Sequence, residues 1–215
     1  MADATHNPSF TRSGSAWSEV TALTDNLYRI RLGGMLRSSW MIGVCTGLAN
    51  AHVSIDRAHA RRLAHDGSWI AELHVLALPG APDPLQLPLI EFAQTPNTPA
   101  GNDERGQPAL AHDHDHDHDH AQPLCLHDYE LAPSGDHGGT LHLTLSAQDS
   151  VGLLSSLLAA FASLALLPVE MHIETRGSEA HDCLWLASRA EERDGRPNDA
   201  DFHALGRLLT RSLRH

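Results

Sequence analysis

Between Leu141 and Leu186 the chain spells out a complete structural unit, and the rest can be read as a copy of it, an attachment to it or a loop out of it. Leu141-His142-Leu143-Thr144-Leu145 alternates apolar and polar residues, the period of a strand with one buried face. The segment from Ser146 to Gly152 breaks that period. From Leu153 to Leu167, residues Leu154, Leu157, Leu158, Phe161, Leu164 and Ala165 recur at spacings of three and four, which is one buried face of a helix. Asp149 or Ser150 is placed to cap this helix and Pro168 to stop it. Val169 to Thr175 alternates again, Arg176-Gly177-Ser178 turns, and Ala180 to Ala187 returns as a third strand. A second helix is expected from Asn198 to Leu213, where Phe202, Leu205, Leu208 and Leu209 share a face.

This order of elements, with Asp149-x-x-Gly152-Leu153-Leu154 between strand and helix and a hairpin at Arg176-Gly177, resembles an ACT domain. The resemblance implies a βαββαβ, ferredoxin-like module of a kind that binds amino acids or other small effectors and regulates metabolism. The N-terminal half repeats the plan. Trp17 to Leu23 and Leu27 to Leu32 alternate around Asp25-Asn26, and Gly33-Gly34 ends the second segment. Ser38 or Ser39 can cap a helix carrying Met41, Ile42, Val44, Cys45 and Leu48. Val53 begins a strand, Asp66-Gly67 signals a hairpin, and Trp69 to Val75 returns. Asp83-Pro84 can open a second helix, which Pro88 should kink or shorten.

The chain therefore reads as duplicated. The expected fold is α+β, two ferredoxin-like βαββαβ (ACT-like) modules in tandem, with antiparallel sheets and helices on one face. Residues 1–16 are expected to be a disordered arm. Residues 17–132 form the first module, with a disordered loop at 95–122, and 133–215 the second. The second module ends on its helix, and the chain has one strand to spare at its start. Residues 17–23 are thus expected to cross over and supply the missing fourth strand.

Charge removes several classes of partner. The formal net charge is −12 and the chain contains no lysine, so it lacks the clustered cations that nucleic-acid binding needs. Arg57, Arg61 and Arg62 are the one local basic cluster and read as coating for a solvated surface. Neither a targeting signal nor a membrane-length apolar segment is recognisable. Three widely spaced cysteines, Cys45, Cys125 and Cys183, form no disulfide framework, so a reducing cytoplasm is expected.

Two stretches carry candidate chemistry. In the resemblance, an effector would sit where the strand-to-helix loops meet the neighbouring module, at Asp149, Ser150, Val151, Gly152 and Leu153, and in the first copy at Gly33, Gly34 and Met35. Helix-terminal N–H groups would hold a carboxylate there, and Asp149 would accept from an amino group. Equally, Asp149 can simply cap the helix and Gly152 allow close packing of helix on strand. The first copy has no equivalent of the Asp.

The second stretch is His112-Asp113-His114-Asp115-His116-Asp117-His118-Asp119-His120. Imidazoles bind zinc, nickel, cobalt and copper, and neighbouring carboxylates add oxygen ligands and offset the metal's charge. The other reading is a low-complexity expansion tolerated in a loop. No nucleophile elbow, phosphate loop or Ser-His-Asp pattern is present, and His142 and His172 are expected to face solvent or a neighbouring sheet. The expectation is a non-enzymatic regulator or sensor that binds a small effector, with an amino acid foremost, and requires no cofactor. The alternatives are a zinc- or nickel-binding protein working through the tract, or a module that docks on a metabolic enzyme or on a second copy as a homodimer.

Overall fold

Strand alternation and short turns generate a single antiparallel sheet of nine strands in a computed structural model of the chain, which describes residues 9–13, 15–95, 124–189 and 195–213. The strands are β1 (Ser9–Ser13), β2 (Ala16–Ala22), β3 (Leu27–Gly34), β4 (Val53–Arg62), β5 (Trp69–Ala77), β6 (Leu126–Ser134), β7 (Thr140–Gln148), β8 (Leu166–Arg176) and β9 (Glu179–Ser188). The helices are α1 (Trp40–Asn50), α2 (Leu89–Gln94), α3 (Leu153–Ser163) and α4 (Asp199–Ser212). Across the sheet the order is β1-β2-β3-β5-β4-β8-β9-β7-β6.

This sheet overturns the expectation of two ferredoxin-like modules, each with its own sheet. The inner strands β4 and β8, one from each copy, pair antiparallel through Arg57↔Glu174, Ala58↔Ile173, His59↔His172, Ala60↔Met171 and Arg61↔Glu170, so the halves fuse edge to edge. Each of these strands would otherwise leave a row of unpaired backbone groups. The duplication is visible in the ladder, since β2-β3-β5-β4 on one side repeats as β6-β7-β9-β8 on the other. A pseudo-twofold axis passes through the His59↔His172 pair, the centre of the β4–β8 register.

Three boundaries also differ from expectation. Residues 17–23 do not cross to the second half. β2 pairs with β3 from Trp17↔Gly33 to Ala22↔Tyr28, because a hairpin closed by a turn of a few residues outcompetes a distant edge. The second half takes its edge strand from β6, which was assigned to the first module and pairs instead with the adjacent β7. Ser9–Ser13, assigned to the arm, pairs with β2 and lengthens the sheet. Residues 96–122 of the expected loop lie outside the described residues.

The core lies between the sheet and a helix layer on one of its faces. Ile30, Leu32, Ala58, Leu73, Val75, Leu143, Met171 and Leu184 point into it from the strands, and Trp40, Val44, Leu48, Leu157, Leu158 and Phe161 from α1 and α3. The helices α1 and α3 meet across the junction, where the hydroxyls of Thr46 and Ser155 lie 2.7 Å apart. Pro88 does shorten the second helix of the first half: Pro84–Gln86 makes a single 3-10 turn before α2. In α4, Asn198 and Asp201 form a reciprocal capping box. Neither Asp149 nor Ser150 is the N-cap of α3; Gly152 takes that place, left-handed at φ 89°. Among the described residues no helix is long and apolar enough to cross a membrane, and the three cysteines are free.

Gly34 holds the outer edge together. It has φ +98°, and a Cβ there would fall 1.9 Å from the Ser15 carbonyl oxygen. Gly34→Ala should therefore destabilise the protein by about 2–3 kcal/mol, through backbone strain and overpacking combined. Gly80→Ala has a similar φ of +86° with nothing within 4 Å. It should carry only the conformational part, so equal urea midpoints for the two variants would refute the packing argument.

Candidate functional site

The face of the sheet away from the helices is polar, and the register lines its side chains into rows. One row runs Glu19, Arg31, Glu72, His59, His172, Cys183, Thr144, Glu130, crossing eight strands through direct cross-strand pairs. His59 comes from β4 because Ala58 and Ala60 take the buried positions on either side, and His172 comes from β8 because Met171 and Ile173 do. At the centre of the sheet the imidazole rings stack, with centroids 4.4 Å apart and planes at 21°.

Glu170 completes a cluster. His172 Nε2 is 2.9 Å and His59 Nε2 3.8 Å from Glu170 Oε1, while His137 Nε2 lies 3.2 Å from Oε2. The ligand atoms of His59, Glu170 and His172 all lie within 4.8 Å of one another. A zinc ion held by all three would sit roughly 2.0–2.2 Å from each ligand atom, so the atoms would have to draw closer together than they stand here. Trp185 walls the cluster, its ring 5.7 Å from that of His172, 5.9 Å from His137 and 4.8 Å from His142. His142 Nε2 is 3.1 Å from the Cys183 sulfur.

The surroundings of His59 favour its neutral, ligating form. Burial, and then the neighbouring His172, lower the pKa of His59. Burial raises that of the Cys183 thiol, with Glu170 adding to the shift, so sulfur is the protonated neighbour of the cluster at neutral pH. The cluster borders an open depression of about 670 Å³ along β6–β9, which holds Arg57 and Arg176 beside Asp128, Glu130 and Glu174.

The expected effector loop lies on the other side of the sheet. Asp149, Ser150, Val151, Gly152 and Leu153 do meet the first half, lining a cavity with Cys45 and Ala49 of α1 and Val53, Ser54 and Ile55 of β4. That cavity measures about 30 Å³. This is room for one water, whereas small-molecule sites run to about 300 Å³ and more. Gly152 is needed for its left-handed backbone; a Cβ there would come no closer than 3.8 Å to the Ala49 side chain.

The first-copy residues do not join a site. Gly33 lies against the Trp17 ring, Gly34 against Ser15, and Met35 is 58% exposed. The tract from His112 to His120, with Asp113, Asp115, Asp117 and Asp119, lies outside the described residues. His59, His137 and Glu170 were not singled out in the sequence. The signal that could have found the pair is the duplication itself, because His59 and His172 hold the same place in the two copies, each on the strand after the first helix.

Comparison of the chain with protein-family models, with curated proteins and with solved structures found no match.

Proposed function

We propose that this protein is a non-enzymatic binder of divalent transition-metal ions, with His59, Glu170 and His172 as its ligands. The observation that carries this reading is the convergence of one imidazole from each half on a single carboxylate at the pseudo-twofold axis. Two imidazoles and a carboxylate suit zinc, nickel, cobalt or copper, and they leave coordination positions open toward solvent. His137, already against the second oxygen of Glu170, is placed to take one of them. A shallow site on an open sheet face exchanges its ion readily, which fits capture and release rather than a structural metal. The His-Asp tract supplies further ligands of the same kind on the same chain. An amino-acid effector draws less support, since the cavity at the Asp149 loop is about 30 Å³.

Isothermal titration with zinc or nickel at about pH 7.5, where imidazole is mostly neutral, tests this. The parent should be a variant with the five histidines of the tract replaced, so that only the sheet can bind. It should take up one ion, and His59→Ala with His172→Ala should weaken binding about 100-fold or more. Uptake should fall off as the pH drops below roughly 6, because protonation competes with the metal for imidazole. Unchanged binding in the double variant would remove the metal from this face.

A further inference from the structure

On the helix side of the sheet, Asp182 of β9 is 3% exposed, and its Oδ1 has no hydrogen-bond partner. It faces the cavity of about 30 Å³ together with Asp149, and Ser54, Ser150, Ser155 and Thr175 complete the oxygen-bearing wall. Asp149 accepts hydrogen bonds from Thr175 and from the Ser150 backbone N–H. No arginine or histidine lines this cavity among the described residues, and the chain has no lysine. Two carboxyl groups thus share a water-sized space without any counter-charge from the protein, an arrangement that is costly unless something else supplies one.

The fold itself does not require them. In the first half, Leu73 sits across from Ala58 as Leu184 sits across from Met171, so Ala71 holds the place that Asp182 holds in the second half. There Trp40 and Trp69 are buried in edge-to-face contact, with centroids 5.6 Å apart. One copy closes this corner with apolar packing. The other keeps acids, and the space between them.

We propose that Asp182 and Asp149 form a binding site for one small hard cation, such as sodium, magnesium or calcium, held in this cavity by oxygen ligands alone. The volume suits a single ion without its full hydration shell, and carboxylate, hydroxyl and carbonyl oxygens are the ligands such ions take. The site is separate from the histidine cluster, which lies on the opposite face and offers nitrogen. The groups facing the pair are Cys45 from α1, Asp56 near Asp149 from β4, and Thr175 from β8, none of them cationic.

The test uses the full chain with His59→Ala and His172→Ala, stripped by a chelator and kept in a tetramethylammonium buffer at pH 8. Sodium, magnesium or calcium is titrated in while the thermal midpoint is followed. At least one of the three should raise the midpoint saturably, by on the order of 5 °C. The rise should disappear at pH 5, where protons compete for the carboxylates, and it should be absent in Asp182→Asn and in Asp149→Asn. Both variants keep the side-chain shape, and circular dichroism is recorded for each to check that it is folded. Absence of a saturable rise with all three cations, or the same rise in either variant, would overturn the proposal and leave the cavity to water.

Discussion

Expressed separately, residues 1–95 and 124–215 should each fail to give a monomer with a cooperative unfolding transition, and mixing the two should restore one. The reason lies in the β4–β8 junction. Either half alone exposes a full inner strand and uncovers Ala58 and Ala60 or Met171 and Ile173, which are at most 5% exposed in the intact chain. It also strips the packing of α1 against α3. An open edge beside apolar surface promotes aggregation rather than a stable domain. Size exclusion and urea melts of each fragment and of their mixture would decide the matter. Two fragments that are each monomeric and melt at the midpoint of the whole chain would show that the halves are independent modules after all.

In a chelated buffer free of sodium, Asp182→Asn should be more stable than the wild type above pH 7. Burial pushes the Asp182 carboxyl up from the usual 3.8 to about 7, and the charge of Asp149 adds to the shift. The folded state therefore holds a proton that the unfolded chain releases. The stabilisation from that proton is complete below about pH 4, declines as the pH rises toward 7, and is absent above it. At about 1.4 kcal/mol per pH unit, over roughly three units, the loss is of order 4 kcal/mol. Asparagine does not ionise, so its stability curve should lack this slope. Parallel curves for the two proteins between pH 4 and 8 would show that Asp182 stays ionised throughout.

Strands, helices and their repetition were legible because they rest on local periods. Leu141 to Leu145 alternates in the sequence and in the sheet, and the three-and-four spacing from Leu154 to Phe161 is the buried face of α3. What the periods do not carry is partner choice. Nothing local states that β4 pairs with β8, whereas β2 with β3 and β6 with β7 are neighbours joined by short turns, a local signal that the expected crossover overrode. The histidine cluster was hidden for the same reason, since His59 and His172 are 113 positions apart and become neighbours only through that register. Asp182 was hidden by its place close to the Arg176-Gly177 turn, although its parity pointed inward. In β9, Ala180, Asp182, Leu184 and Leu186 all point inward, and a polar residue in an inward series looks from the sequence like an ordinary hairpin flank.

The charges flanking the central histidine pair bear on how such a chain could arise. Arg57 and Arg61 stand on β4 at the places where β8 carries Glu170 and Glu174, and the antiparallel register sets Arg57 opposite Glu174 and Arg61 opposite Glu170. Had two identical copies met along this edge, arginine would oppose arginine, or glutamate oppose glutamate, on both sides of the axis. Like charges directly opposite across a ladder are destabilising. The two halves as they stand oppose arginine to glutamate at both places, so each half is matched to its sibling and mismatched to itself. A duplicated chain with this edge closes on itself within one molecule, because the only complementary partner for either inner strand is the other half, and the same half of a second molecule is repelled.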